Sequence, residues 1–173
     1  GSAVADSWGG VQRIYMTPDG EKIGRYALGA IAGRCVALGR AAGGTVAITE
    51  GLETALAVQQ ATGIDAWAAL STSGMRSLDL PDWIHEVIVV ADADVAAEGE
   101  AYGPGMQAAI AAAARWTAEG RIVRIACTSD PALNDANDVL LRSGSEAVRA
   151  LLAAAVLYQE PAHKLDPWQE ADA

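Results

Sequence analysis

The sequence predicts an α/β fold in which a mainly parallel sheet of roughly four strands is flanked by helices. From Thr45 onwards, short apolar runs alternate with longer amphipathic runs, which is the pattern of right-handed βαβ units. The run at residues 87–91 is the most β-branched, as expected for a central strand covered on both faces. Hydrophobic residues make up 51% of the chain but aromatic residues only 5%, so small side chains must fill the core and let the helices lie close to the sheet.

A β-rich extension precedes this alternating pattern. Residues 11–16 and 22–28 have strand composition and flank Thr17-Pro18-Asp19-Gly20, an order that favours a tight turn, so they predict a β-hairpin. Residues 34–38 predict a third short strand, and the glycine-rich residues 39–44 predict a flexible connection. We therefore place a boundary near Gly44, with residues 1–44 as an N-terminal extension.

The predicted domain at residues 45–144 is followed by a C-terminal segment at residues 145–173. Gly63 and Gly120 each follow an amphipathic run and are typical of helix ends. The segment after residue 144 begins with an amphipathic helix and continues as a polar tail. Strands are predicted at residues 45–49, 66–70, 87–91 and 122–127, and helical segments at 52–62, about 74–80, 106–119, 137–141 and 145–157.

The charge balance limits the partners that the chain can bind on its own. Twelve Lys and Arg against 22 Asp and Glu give a net charge of −10, which repels a nucleic-acid backbone. This balance suits a catalytic module that holds cations and relies on a basic domain elsewhere, or on its own arginines, to grip a polyanion. Candidates for such a positive face are the arginines of the N-terminal extension, namely Arg13, Arg25, Arg34 and Arg40.

The cellular setting follows from the cysteines and from hydropathy. Cys35 and Cys127 lack metal-binding spacing, so we expect both to be small buried hydrophobes in a reducing cytoplasm. No apolar run approaches the roughly 18–20 residues that cross a bilayer, which predicts a soluble protein without a membrane partner. The opening Gly1-Ser2 has the form of a remnant of tag removal, so we expect the chain to be a piece of a longer protein.

Acidic residues stand where two predicted strands end. Glu50 follows the strand at residues 45–49 and precedes Gly51, while Asp92 and Asp94 follow the strand at residues 87–91. Carboxylates at the carboxyl ends of neighbouring parallel strands form a hard-cation site and suggest phosphoryl-transfer chemistry. Taken singly, each acid has an alternative role as a solvated loop residue or a helix N-cap.

A family resemblance rests on three segments in a fixed order, with Ser71-Thr72-Ser73-Gly74-Met75 between the first two. The chain resembles a Toprim domain over about 100 residues, from Thr45 to Gly144, and in particular the Toprim modules of phage- and plasmid-type primases and primase-helicases. The resemblance implies a Rossmann-like fold. Its segments are Ile48-Thr49-Glu50-Gly51-Leu52-Glu53-Thr54-Ala55-Leu56-Ala57, Ala91-Asp92-Ala93-Asp94 and Asp135-Ala136-Asn137-Asp138-Val139-Leu140.

The resemblance implies roles for the acids. Glu50 would be the general acid or base or a metal ligand, and Asp92 and Asp94 would coordinate Mg²⁺ or Mn²⁺. Asp135 and Asp138 would be further metal ligands, although Asn137 stands between them where the family commonly has Asp. Since an Asn keeps an oxygen ligand but removes a charge, a second metal there would be held more weakly.

Three residues are predicted on the nucleotide or phosphate side of the site, namely Gly51, Glu53 and Arg76, the last because it follows the Ser-Gly turn at the strand ends. Glu53 has an alternative role as a first-turn acid favoured by the helix dipole, and Arg76 as a surface arginine. The Gly103-Pro104-Gly105 sequence before a predicted helix is a weak phosphate-binding signal.

The function implied by the resemblance is metal-dependent nucleotidyl transfer by the catalytic module of a DNA primase, which makes RNA primers. Its partners would be nucleoside triphosphates and a single-stranded DNA template, gripped mainly by other domains of a larger catalytic core that includes residues 1–44. One alternative is a metal-dependent nuclease or strand-transfer enzyme that uses the same acids, and another is a non-catalytic Toprim fold used for docking.

Overall fold

The computed structural model describes residues 9–160, so the predicted tail beyond residue 160 and the first eight residues lie outside the described part of the chain. The described residues form eight strands and four helices. The strands are β1 (Gly10–Met16), β2 (Lys22–Gly29), β3 (Val36–Leu38), β4 (Thr45–Thr49), β5 (Ala66–Ala68), β6 (Glu86–Val90), β7 (Ile122–Ala126) and β8 (Val156–Leu157). The helices are α1 (Leu52–Thr62), α2 (Thr72–Ser77), α3 (Pro104–Ala118) and α4 (Ala136–Ala153).

The predicted parallel sheet is confirmed as the centre of a six-stranded sheet with the order β3-β5-β4-β6-β7-β8. The four inner strands are parallel, and the short edge strands β3 and β8 are antiparallel to their neighbours. The chain passes from β4 to β5 on one side and then crosses to β6 on the other side of β4. The β4/β6 pair is therefore the topological switch point, where open α/β sheets bind their ligands at the carboxyl ends of the strands.

Helices cover both faces of the sheet, as predicted. Helices α2 and α3 pack on one face, where Trp116 is fully buried in the core. Helices α1 and α4 pack on the other face around Val58 and Val148. The buried side chains of α3 that surround Trp116 are mostly alanines, which let this helix lie close to β6 and β7.

The predicted N-terminal hairpin is confirmed as β1 and β2, which form a separate two-stranded antiparallel sheet. Its turn is closed by a hydrogen bond from the Gly20 N–H to the Thr17 carbonyl oxygen at 3.0 Å, and Gly20 takes the positive φ of 89° that the turn requires.

Two predictions for the stretch before β4 need correction. The third strand is shorter than predicted and pairs with β5 at the edge of the main sheet. Residues 39–44 form a closed turn rather than a flexible connection. Ala41 is buried there and its N–H donates to a carboxylate oxygen of Asp65 at 2.7 Å, which fixes the turn against the sheet.

The predicted C-terminal helix is also corrected. The helical segments predicted at 137–141 and 145–157 form one helix, α4, with a local break at Gly144 where φ is 79°. The helix ends at Ala153, and Val156–Leu157 form β8 against β7 instead of a last helical turn. The N–H of Tyr158 donates to the Val123 carbonyl at 2.8 Å, so pairing with the open edge of β7 replaces helical hydrogen bonds.

The two cysteines are free thiols that are partly buried against the core, in keeping with the predicted packing role. Burial raises the pKa of Cys35 to about 11. Between residues 9 and 160, no helix has both the length and the apolar character needed to cross a bilayer.

Candidate metal centre

Glu50 sits in the turn that joins β4 to α1. Gly51 is the N-cap residue of α1, and the Thr49 hydroxyl donates to the Gly51 carbonyl at 2.8 Å. The Glu50 carbonyl accepts the Leu70 N–H at 2.8 Å, which ties the turn to the end of β5. The Glu50 side chain is only 17% exposed, and burial raises its pKa. Asp94 adds to that rise, while Arg25 opposes it.

Asp92 and Asp94 lie in the loop that leaves β6, beside Glu50. The loop is held by a hydrogen bond from the Ala93 N–H to the Asn134 carbonyl at 2.7 Å. One carboxylate oxygen of Asp94, Oδ2, accepts the Gly105 N–H at 2.9 Å. By contrast, Oδ1 of Asp92 is buried and has no hydrogen-bond partner. A buried acceptor without a partner is costly, so this oxygen is free to take a cation.

Four carboxylates share one region, because the turn after β4 adjoins the loop after β6 and that loop is bonded to Asn134, next to Asp135. Burial first, and then the charges of Glu50, Asp135 and Asp94 in that order of effect, raise the pKa of Asp92 from 3.8 to about 7. Arg25 acts in the opposite direction. The structure thus brings Glu50, Asp92, Asp94 and Asp135 together at the carboxyl ends of β4 and β6.

Asp135 and Asp138 take part in the start of α4. Asp135 is its N-cap, with Oδ1 accepting the Asp138 N–H at 2.9 Å and Oδ2 accepting the Thr54 hydroxyl at 3.3 Å. Asp138 accepts the Asn134 N–H at 2.9 Å and is not among the groups that shift the pKa of Asp92. Asp135 therefore belongs to the acid cluster, which consists of Glu50, Asp92, Asp94 and Asp135, while Asp138 is engaged in helix capping.

The three residues placed on the phosphate side have different surroundings. Gly51 is a backbone cap directly after Glu50. Glu53 lies in the first turn of α1 and forms an ion pair with Lys22 at 2.5 Å. Partial burial would raise the pKa of Glu53, but the hydrogen bond and charge of Lys22 outweigh it and lower that pKa. Arg76 is exposed in the last turn of α2 and forms no ion pair with the other residues that the structure describes.

The hairpin brings positive charge to the acid cluster. A guanidinium nitrogen of Arg25 on β2 lies 3.8 Å from Oε1 of Glu50, and Lys22 on the same strand reaches Glu53. Sequence spacing could not single out Arg25 among the four arginines of the extension, because its approach to Glu50 depends on how the hairpin packs against the β4 turn.

The acid cluster fits a hard divalent cation. Within residues 9–160, no three His, Cys, Asp or Glu side chains lie close enough together to hold a metal ion as they stand. Glu50, Asp92 and Asp94 nevertheless offer only oxygen donors, which suit Mg²⁺ or Mn²⁺, and the partnerless oxygen of Asp92 would gain a ligand bond. Asp92 and Asp94 are the residues best placed to hold such an ion, with Glu50 beside them.

Two glycines before α3 allow the close approach of the acid loop. A Cβ at Gly103 would overlap the carbonyl oxygen of Asp94, and one at Gly105 would lie 3.0 Å from Oδ2 of Asp94. The Gly103-Pro104-Gly105 sequence, considered above only as a phosphate signal, therefore supports the conformation of Asp94. The two glycines are recognisable in the sequence, but their contact with Asp94 depends on the fold.

We expect Gly103→Ala to weaken Mn²⁺ binding by about tenfold, because moving the support of a metal ligand typically has an effect of that size. The added methyl group must push the Asp94 backbone away from α3. Calorimetric titration with Mn²⁺ measures the change. The matched control is Gly43→Ala, since a Cβ at Gly43 meets no atom within 4 Å. Equal affinities for the two variants would contradict the supporting role of Gly103.

The metal-free protein is expected to lose stability as the pH rises. Because the folded state binds the Asp92 proton more tightly than the unfolded state, the resulting stabilisation is fully present below pH 3.8 and is lost as the pH rises through about 7. Urea denaturation in EDTA between pH 5 and 8 should show this fall in the free energy of unfolding. Asp92→Asn should remove this component, and an unchanged pH dependence in the variant would refute the assignment.

Comparison with known protein families gives a match over the part of the chain that carries the acids. The model of the Toprim domain matches residues 45–146. A search of curated protein sequences found no relative of this chain.

Several solved primase structures have a similar fold. A DNA primase domain from Pseudomonas aeruginosa aligns with a TM-score of 0.55 and 16% identity, over 88% of this chain and 53% of that one. A DnaG primase catalytic domain bound to single-stranded DNA aligns with a TM-score of 0.52 and 18% identity, over 86% of this chain and 52% of that one. The Aquifex aeolicus primase, with its zinc-binding and RNA polymerase domains, aligns with a TM-score of 0.50 and 18% identity, over 67% of this chain and 27% of that one.

These structures are longer than the present chain, which covers between 27% and 53% of their lengths. Because the sequence identities are only 16–18%, these alignments show a shared fold and no more. The family model, in contrast, covers more than half of the 173 residues, including every acid of the cluster. The chain therefore belongs to the Toprim domain family.

Proposed function

We propose that this chain is the catalytic Toprim module of a DNA primase of the primase-helicase type, from a phage, plasmid or other mobile element. In this role it performs metal-dependent nucleotidyl transfer that makes RNA primers on single-stranded DNA. The observation that carries the proposal is the acid cluster at the β4/β6 switch point, with a buried oxygen of Asp92 that lacks a partner. The fold shared with primase catalytic domains supports the same assignment.

The reaction joins a primer 3′ hydroxyl to the α-phosphorus of a nucleoside triphosphate and releases pyrophosphate. Mg²⁺ or Mn²⁺ bound by Asp92 and Asp94 would neutralise the phosphates and orient them for attack. Glu50 would accept the proton of the attacking hydroxyl, since its raised pKa makes it a better proton acceptor than an ordinary carboxylate. Arg25 lies next to Glu50 and would attract the incoming triphosphate to the acidic site.

The template is gripped mainly by other parts of the full protein, because a net charge of −10 opposes tight binding of a polyanion. Residues 1–44 belong, on this proposal, to a larger catalytic core. Such a module would act in the cytoplasm. The isolated chain would then bind metal and nucleotide even where it cannot complete a primer.

The proposal is tested first by binding. With Mn²⁺ present, we expect a nucleoside triphosphate to bind the chain and expect Asp92→Asn to abolish the binding. Failure to bind any divalent ion at millimolar concentration would overturn the proposal and favour a docking module.

The second test is the product formed by the full-length protein with single-stranded template, Mg²⁺ and nucleoside triphosphates. Oligoribonucleotides that disappear in the Asp92→Asn variant support primase activity. Cleavage of the template without synthesis would overturn it in favour of a nuclease that uses the same acids.

A further inference from the structure

An apolar cavity opens beside the acid cluster, on the side of β7 and α3. It has a volume of about 380 Å³. Its walls come from the first two turns of α3, the end of β7 and the edge strand β8, through Met106, Ile110, Ile125, Cys127 and Val156. Tyr102, which is 53% exposed, stands among the lining residues in the loop before α3.

Two walls of the cavity adjoin the elements that carry the candidate metal centre. Cys127 follows the last residue of β7, and Ala126 pairs with Val90 two residues before Asp92. The Ala91 N–H, directly before Asp92, donates to the Ala126 carbonyl at 2.8 Å, so Cys127 lies at the same end of the sheet as both carboxylates. On the α3 side, Met106 directly follows Gly105, whose N–H binds Asp94.

The lining defines the kind of group that the cavity can hold. It contains no charged side chain and no amide side chain, and its side-chain hydrogen-bonding groups are the Tyr102 hydroxyl and the Cys127 thiol. A flat heterocycle suits such a space, because it gains from apolar burial, from the polarisable sulfur of Met106 and from stacking on an aromatic ring. Stacking on aromatic side chains tolerates every base, since each base presents a π-face.

We propose that this cavity is the base subsite for the nucleotide whose triphosphate lies at Asp92 and Asp94, and that it accepts all four bases with little discrimination. This inference rests on the proposed function. The acids and the cavity then divide one ligand between them, with the phosphates at the charged end and the base at the apolar end. A subsite that tolerates every base suits an enzyme in which pairing with the template selects the nucleotide.

The test compares two ligands that share the phosphates but differ in the base. Binding of ATP and of inorganic tripolyphosphate is measured by calorimetry in Mg²⁺ for the chain and its variants. Ala154→Trp fills the cavity from its exposed rim, and Tyr102→Ala removes the ring. The matched control is Ala153→Trp, which adds the same bulk at the exposed neighbouring residue that does not line the cavity.

We expect ATP to bind about tenfold more weakly to Ala154→Trp and to Tyr102→Ala. A loss of that size lies near the lower end of the range of stacking energies measured per base. Tripolyphosphate binding should stay within about twofold in every variant, and Ala153→Trp should resemble the parent chain for both ligands. The four nucleoside triphosphates should bind the parent chain within about fivefold of one another.

The outcomes separate this inference from the proposed function. If tripolyphosphate binds in Mg²⁺ but ATP binds no more tightly, or if Ala154→Trp leaves ATP affinity unchanged, the base subsite is overturned while the metal centre stands. Equal weakening of both ligands by Ala154→Trp also overturns it. If neither ligand binds the parent chain in Mg²⁺, the proposed function fails and the subsite fails with it.

Discussion

Replacing Asp92 and Asp94 together by Asn should abolish divalent-metal binding and, on the proposed function, lower nucleotidyl transfer by the full-length protein by at least about a thousandfold. The estimate corresponds to roughly 4 kcal/mol of transition-state stabilisation, a size typical of a metal ion that neutralises a reacting phosphate. The double substitution removes both carboxylates best placed to hold the ion but keeps the side-chain shapes. Mn²⁺ titration and a primer-synthesis assay measure the two effects.

The same double variant should fold and should be more stable than the parent chain without metal. Burial and three neighbouring acids raise the pKa of Asp92 to about 7, so its charged form destabilises the folded state above that pH. We expect a gain of about 1–2 kcal/mol at pH 8 by urea denaturation, after allowing for the partial exposure of the group.

A control with the same charge change is Asp79→Asn combined with Asp82→Asn. Both residues are exposed and lie away from the acid cluster, and the ion pair of Asp79 with Arg115 involves a carboxylate that is 91% exposed. This control double variant should change neither metal binding nor stability by a measurable amount. Failure of the Asp92 and Asp94 variant to fold would show that these acids are structural, and retained metal binding would show that other residues hold the ion.

Most of the fold could be predicted because its central strands carry a strong local pattern. Strands β4, β6 and β7 each have five residues, mostly Val, Ile and Ala, and amphipathic helical segments separate them, so they can be recognised without tertiary information. The edge strands have three and two residues, too few for any periodicity. Residues 153–157 are Ala, Val and Leu, which fit a helix as well as a strand, and only pairing with β7 decides between them.

The proximity of the acids at the centre of the candidate site could be predicted from strand geometry, whereas the residues around them could not. Glu50 and Asp92 each follow the end of one of two neighbouring parallel strands, so register alone brings them together. Arg25, Gly103 and Thr54 reach the cluster only through tertiary packing. For Asp138, a local hydrogen bond at the start of α4 competes with metal binding, and sequence spacing cannot rank the two.

The largest expected loss of stability comes from Trp116→Ala, at about 3–5 kcal/mol. Trp116 is fully buried between α3 and the sheet, and its indole N–H donates to the Leu78 carbonyl at 3.2 Å. Truncation leaves a large cavity and removes that hydrogen bond. Chemical denaturation measures the loss, and Trp83→Ala, at a position that is 46% exposed, should cost less than about 1 kcal/mol. A loss below that of Trp83→Ala would contradict the core role of Trp116.

The Trp116 variant also separates the stability of the fold from the geometry of the site. Trp116 lies in the last turn of α3, whereas Gly103 and Gly105 support Asp94 at the other end of that helix. Under conditions where Trp116→Ala remains folded, its Mn²⁺ affinity should stay within about threefold of the parent, while Gly103→Ala loses affinity at a smaller stability cost of about 1–2 kcal/mol. If both variants lose affinity in proportion to stability, the acid loop depends on the whole α3 layer rather than on the close approach of Gly103.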